Sequence, residues 1–320
     1  MGRNGKLHLS IWGTSVVLLN ISISPTQASP ISYGFFRVPN TRVTEAAAVN
    51  NFGVIAGWYL DPDGSRDHGF IRSADGLSYT SIDFPGSGVM STSVYGINDE
   101  GDVSGTYYDG SLHGFIRTSN GVYTSINLGP HTVVSGINNN GQVFGSTDIN
   151  QFIRNSDGNY ITFSVAGIED YGGINDSGVV TASAGPGESH GYIRLPNGAI
   201  TIFDAPGFEG TYAYGINNLG DVVGWGFESG FSIGYVRSAD GNTYTLLQTP
   251  LAPDIRAHGI NDLGETVGLA YGFGNGVLQV GFCTGPCPGS SPVPSPEPSS
   301  MSLAVVGIIA VFFRKTMRTI

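Results

Sequence analysis

Carboxylates set beside indole and phenol rings are the main chemistry this sequence offers. "YLDPDGSRDH" puts Asp61, Asp63 and Asp67 next to Trp58 and Tyr59, and "YYDGSLH" puts Asp109 next to Tyr107 and Tyr108. Asp148, Glu188, Trp225 and Glu228 stand in corresponding segments further on. Aromatic faces stack on apolar sugar faces, and carboxylates accept hydroxyl protons. These residues therefore form a candidate ligand face for glycan or protein, against the plainer alternative that hydrophilic turns carry Asp and Gly for their own geometry. Asp61, Asp63 and Asp67 space their oxygens as a weak Ca²⁺ candidate, without the distal Glu of an EF-hand loop. No other metal or cofactor is expected. His68, His113 and His190 each open a different repeat's third strand, too far apart to share a metal. A hydrolase or lyase would need paired carboxylates on the same face. No Ser-His-Asp order, zincin motif or phosphate loop is present, so no catalytic residue is assigned and the reading is a non-enzyme.

The elements that would position these residues recur along the chain. "YGINDEGDVSG" has five close copies, whose Asn falls at Asn50, Asn98, Asn138, Asn175, Asn217 and Asn261. A period near 40–45 residues is that of four-stranded propeller blades. Within each period the phrase supplies two strands around an Asn/Asp-Gly hairpin, "HGFIR" and its variants a third, and "YTSIDFP" and its variants a fourth. The repeated Asn is assigned to local backbone hydrogen bonds in its turn. The Gly before "IN" is assigned to crowding around the axis. The Arg ending the third strand is expected to pair with Asp83, Asn127 or Asp204 on the fourth.

There are six copies of the first three strands but only five of the fourth after position 41. "YGFFRVP", Tyr33 to Pro39, has the spacing of the missing one. The expectation is an all-β, six-bladed β-propeller over residues 31–285, its last blade completed by the N-terminal strand, which also removes an open sheet edge. Five or seven blades, or a sandwich of hairpins, are the alternatives.

Charge and chain ends bear on location. The net charge is -11, and every basic residue between positions 31 and 290 is Arg; Lys6 and Lys315 lie in the two ends. An acidic surface repels phosphate backbones, so nucleic acid is not an expected partner. Residues 1–28 read as a signal peptide: Arg3 and Lys6, an apolar run, then a small-residue site after Ala28. A retained anchor is the alternative. Residues 286–298 are a Pro/Ser-rich linker. Residues 299–320 hold a short apolar segment, read as a membrane or sorting helix, and a basic end with Arg314, Lys315 and Arg318. In an exported chain Cys283 and Cys287 suit a local disulfide, with free thiols the alternative.

Two resemblances follow. Pro296, Glu297 and Pro298, followed by an apolar segment and a basic end, resemble the PEP-CTERM sorting signal. That implies recognition by an exosortase, transient membrane anchoring, and delivery to the cell surface or exopolysaccharide matrix of a Gram-negative bacterium. The repeats, carried by "HGFIR", "YTSIDFPG" and "YGINDEGDVSG", resemble HAF-type extracellular repeats, which imply an exported protein and bring no catalytic residue. The combined expectation is a surface or matrix repeat protein that binds extracellular polysaccharide or another surface protein. A secreted glycan hydrolase or lyase and a purely structural matrix component are the alternatives.

Overall fold

Alternating β-branched and aromatic residues between Asn-Gly and Asp-Gly turns favour short, paired strands. A computed structural model describes residues 31–185, 189–272, 279–285 and 287–289, and among these it contains strands only, twenty-four of them. The expected signal peptide (1–28), Glu188, the linker from 290 onward, Pro296, Glu297 and Pro298, and the tail (299–320) lie outside the described residues. Among the described residues no helix is long and apolar enough to cross a membrane.

In chain order, β1 (Tyr33–Phe36) precedes the first repeat, β2 (Val43–Val49), β3 (Ile55–Leu60), β4 (Asp67–Arg72) and β5 (Tyr79–Ile82). The second is β6 (Ser91–Ile97), β7 (Val103–Tyr108), β8 (Leu112–Arg117) and β9 (Tyr123–Ile126). The third is β10 (Thr132–Ile137), β11 (Val143–Thr147), β12 (Gln151–Arg154) and β13 (Tyr160–Phe163). The fourth is β14 (Ile168–Ile174), β15 (Val180–Ala184), β16 (His190–Arg194) and β17 (Ile200–Phe203). The fifth is β18 (Thr211–Ile216), β19 (Val222–Glu228), β20 (Phe231–Arg237) and β21 (Tyr244–Leu247). The sixth is β22 (Asp254–Ile260), β23 (Thr266–Tyr271) and β24 (Gln279–Thr284).

Repeats two to five are separate four-stranded antiparallel sheets in a propeller arrangement. The other eight strands form one sheet, so the expectation of six separate blades is corrected: four stand apart. The cause is local. Val43 and Gln279 make one parallel pair, and that contact joins β2 to β24. The N-terminal strand docks where its sequence spacing places it. β1 runs antiparallel to β24, with Phe35 opposite Phe282 and Phe36 opposite Gly281.

The aromatic of each third strand is the centre of its core: Phe70, Phe115, Phe152, Tyr192, Tyr235 and Phe282 are all buried. Each ring lies across from a small residue of the second strand, as Phe115 does from Gly105. Gly105 is required there. A Cβ on it would sit 2.0 Å from the Ser93 carbonyl oxygen, because β6 bulges between Val94 and Gly96 and turns that carbonyl inward. The fourth repeat inverts the arrangement. Ala182 takes the second-strand place, and Gly172 opposite it makes the room.

The glycines of the repeated phrase, Gly53, Gly101, Gly141, Gly178, Gly220 and Gly264, have φ between 71° and 92°, the left-handed region these turns require. The repeated Asn does what its turn predicts and more. The Asn98 Oδ1 accepts the Asp102 N–H at 2.8 Å, while its Nδ2 donates to the Asn138 carbonyl of the next repeat. This continues through Asn175, Asn217 and Asn261 and returns to Asn50, closing a ring around the axis. The crowding assigned to Gly96, Gly136, Gly173, Gly215 and Gly259 is present. A Cβ on Gly215, for example, would meet the His258 carbonyl at 2.6 Å.

The expected Arg–Asp cross-strand pair does not form. Asp83 and Asp204 instead accept from His68 and His190, at 2.7 and 2.6 Å. The arginines are too far along the strand. Arg117, Arg154, Arg194 and Arg237 donate to the carbonyl of the residue that follows each. Arg194 and Arg237 also lie 4.3 and 4.7 Å over Phe163 and Phe203 of the preceding repeat, tying neighbours together.

Candidate functional site

The predicted ligand face divides on inspection. Asp109 and Asp148 are exposed in loops, and Tyr108 and Glu228 are exposed at the ends of β7 and β19. Tyr107 and Trp225 are not available as stacking platforms: Tyr107 is buried with Phe84 stacked on it at 3.8 Å, and Trp225 is buried against Tyr212 at 4.0 Å. Their side chains lie on the inward side of the strand, where alternation sends them between sheets. Tyr59 is half-buried and stacks on His68. The Ca²⁺ candidates do not converge. Asp61 faces His68 Nε2 at 3.3 Å, Asp63 accepts the Ser65 N–H, and Asp67 is half-buried, which pushes its carboxyl up. Among the described residues no group of three His, Cys, Asp or Glu is arranged to hold a metal ion. Cys283 and Cys287 form the expected disulfide. It holds the segment after β24 near β4, where Arg72 donates to the Pro288 carbonyl.

The residues that do converge lie on the axis. Five of the six innermost strands bulge at the residue three before the repeated Asn, at Ala47, Tyr95, Ser135, Tyr214 and His258. β14 bulges more widely, between Ile168 and Gly172, a span that includes Tyr171. A bulge re-aims a side chain out of the alternating pattern. Except at Ala47 and Ser135, where the side chain is small, this produces a collar of rings. Tyr95 and Tyr171 approach hydroxyl to hydroxyl at 3.4 Å, Tyr171 stacks on Tyr214, and Tyr214 lies 4.8 Å from His258. The small Ser135 lets Tyr171 reach across the third repeat, and its Oγ accepts the Gly172 N–H. The collar bounds a cavity of about 280 Å³ that runs along the inner strands from the apolar residues preceding each repeated Asn to Glu45, Trp58 and Arg256.

The electrostatics of the cavity are unusual for so acidic a chain. Burial pushes Glu45 up to about 7, opposed by a hydrogen bond from Trp58 and by the Arg256 charge. Burial also drives His258 down to about 3, with Arg256 contributing. His258 Nδ1 lies 3.3 Å from Glu45 Oε1, at an angle that makes no hydrogen bond. Tyr95 is raised well above 10 by burial and by Tyr171. The site is thus a mostly neutral pocket of hydroxyls, one carboxyl and one imidazole, with a single guanidinium at its rim.

Below the collar the second residue of each turn forms another ring, Asn51, Asp99, Asn139, Asp176, Asn218 and Asp262, with amide and carboxylate alternating. Asn139 Nδ2 donates to both Asp99 and Asp176, and Asn218 Nδ2 to both Asp176 and Asp262. Each carboxylate therefore accepts from the amides on both sides.

Sequence reasoning missed Glu45, His258, Arg256 and the tyrosines because they fall where the copies disagree. The six residues three before the repeated Asn are Ala47, Tyr95, Ser135, Gly172, Tyr214 and His258. Variable polar and aromatic residues within an otherwise constant phrase were the available signal.

No family profile matches the sequence, and no curated protein matches it. Among solved structures the chain is similar to TolB from Acinetobacter baumannii, with a TM-score of 0.55 and 14% identity over 72% of this chain. It spans only 63% of the TolB chain. It is also similar to a luciferin-regenerating enzyme, with a TM-score of 0.50 and 12% identity over 82% of this chain and 99% of that one. At these identities the likeness is one of fold: an all-β propeller.

Proposed function

We propose that this chain is an exported, non-catalytic binding propeller, sorted to the cell surface or extracellular matrix by an exosortase. Its ligand is a small hydroxylated molecule, such as the terminal sugar of an extracellular glycan, seated in the axial cavity. The observation that carries this reading is the collar of Tyr95, Tyr171, Tyr214 and His258 around a cavity of about 280 Å³, near the lower end of the size range of small-molecule sites. Rings beside hydroxyl and carboxyl groups suit the alternating apolar and polar faces of a sugar. A cavity on the axis admits the end of a chain, not its middle. In this reading the eight-stranded sheet is two blades touching at Val43 and Gln279, giving six around the axis, a count supported by the closed ring of Asn50, Asn98, Asn138, Asn175, Asn217 and Asn261.

The test is saturation-transfer NMR on the full chain with mono- and disaccharides. Binding is expected in the wild type and is lost in Tyr214→Ala. Equal signals in wild type and variant would place the ligand elsewhere. For the sorting step, Pro296, Glu297 and Pro298 are replaced together by Ala. The variant is expected to stay in the membrane fraction, and unchanged release would end the exosortase reading.

A further inference from the structure

The axial cavity has two polar groups that their neighbours leave partly unanswered, the Arg256 fork and the His258 ring. Arg256 lies on β22, with its guanidinium carbon 4.5 Å over the Trp225 ring and 5.0 Å over Tyr271. Its Nε donates to Ser232 Oγ at 3.2 Å. The fork is therefore held against two rings, a setting in which a guanidinium can present its terminal nitrogens to a planar anion. No carboxylate among the described residues lies within ion-pair distance of it, and its terminal nitrogens make no hydrogen bond there. The Arg residues that end third strands differ: four of them donate to the carbonyl that follows.

The two acids around Arg256 are turned to other partners: Asp254 accepts the Ser232 N–H at 2.6 Å, and Glu45, which feels the Arg256 charge, faces elsewhere. Glu45 accepts from Trp58 and faces His258. His258 is more than nine-tenths buried, lines the cavity, and keeps an Nδ1 with no hydrogen-bond partner. A buried, unpaired ring nitrogen costs free energy unless a third atom comes to it. The Glu45 Oε1 and His258 Nδ1 atoms lie 3.3 Å apart, so one hydroxyl seated beside them on the cavity side could reach both.

We infer that the ligand is a hydroxy acid of the uronic-acid type, its carboxylate on the Arg256 fork and a neighbouring hydroxyl against both Glu45 and His258. The inference rests on the cavity reading above and adds the charge of the ligand. An Arg–carboxylate fork bond forms only with the acid, so a neutral sugar of the same shape leaves Arg256 unanswered.

Of the chain's three Trp residues, Trp58 and Trp225 flank this site and Trp12 lies near the N-terminus, so intrinsic fluorescence reports binding. The full chain is titrated with glucuronate and galacturonate, and in parallel with glucose and galactose. The acids are expected to bind at least tenfold more tightly than their neutral counterparts. Arg256→Gln is expected to remove that preference while leaving weak binding of all four. Arg256→Lys, which keeps the charge but not the fork, is expected to keep part of it, and a thermal melt of each variant confirms folding. Equal binding of acids and neutral sugars by the wild type overturns this inference alone. Binding of none of the four overturns the cavity reading and this inference with it.

Discussion

Asn175 shows how much one repeated residue does. Its Oδ1 accepts the Ser177 and Val179 N–H groups at 3.1 and 3.0 Å, and its Nδ2 donates to the Asn217 carbonyl at 3.1 Å. Asn175→Asp keeps the two turn bonds and removes the donor, leaving the Asn217 carbonyl without it. We expect a loss of about 1–3 kcal/mol, and a larger loss for Asn175→Ala, both read by urea denaturation. The turn half of this role was legible, because Asn before Gly in a hairpin is a local signal. The ring half was not, since it depends on where the next repeat lies. Glu45 and His258 give a pH prediction. Their ordinary values of 4.5 and 6.5 move in the fold to about 7 and about 3. Between roughly pH 4.5 and 6.5 the fold keeps a Glu45 proton that the unfolded chain loses, so this group alone makes stability fall as pH rises. Over the same window the fold refuses a His258 proton that the unfolded chain takes, so His258 alone makes stability rise with pH. The slopes cancel in the wild type, and below about pH 4.5 the His258 slope remains. In His258→Gln the Glu45 slope stands alone, and stability is expected to drop as pH rises from 4.5 to 7, on the order of 3 kcal/mol. Arg256 and Asp67, the other charges acting on Glu45, are unchanged by that substitution. Denaturation curves across the window decide, and a flat profile in the variant would mean that Glu45 is not held neutral.

At the scale of the element, the link that matters is between the bulge of the innermost strand and the glycine of the second. The bulge aims a side chain at the axis, and the carbonyl it displaces leaves no space for a Cβ across the ladder. Gly105→Ala is therefore expected to cost about 3 kcal/mol or more, because the obstructing atom is backbone and cannot turn aside. Ala182→Gly in the fourth repeat should cost only about 1 kcal/mol, since Gly172 already supplies the room there. Thermal melts of the two variants test the contrast, and equal losses would break the link. The strands, their order and their turns were legible from the period and the Asx-Gly dipeptides. The bulges were not, because an extra residue at the same position in five of the six copies looks like part of the phrase. With them went the cavity and the collar.

For the whole molecule the question is what holds the ring shut, and the two devices at the seam differ in size. β1 buries Phe35 and Phe36 on opposite sides. Phe35 packs with Ile255 and Phe282, and Phe36 with Ala46, Ile55 and Phe70 of the first repeat, so one strand joins both ends of the circle. Val38 is buried beside Phe36. Burying three such side chains is worth roughly 5–8 kcal/mol, before the ladder to β24 is counted. The Cys283–Cys287 disulfide closes a short loop, and its effect on unfolded-chain entropy amounts to about 2 kcal/mol. Total stabilities of domains are about 5–15 kcal/mol. Loss of β1 is therefore comparable to the whole, while loss of the disulfide is a fraction of it. Phe35→Ala with Phe36→Ala should abolish cooperative unfolding or leave a chain that associates through the exposed edge of β24. The Cys283→Ser, Cys287→Ser double variant should keep one cooperative transition at a lower midpoint. Denaturation with light scattering separates these outcomes. If the cysteine variant opened the ring and the phenylalanine variant did not, the seam would be held by the covalent link and not by the strand.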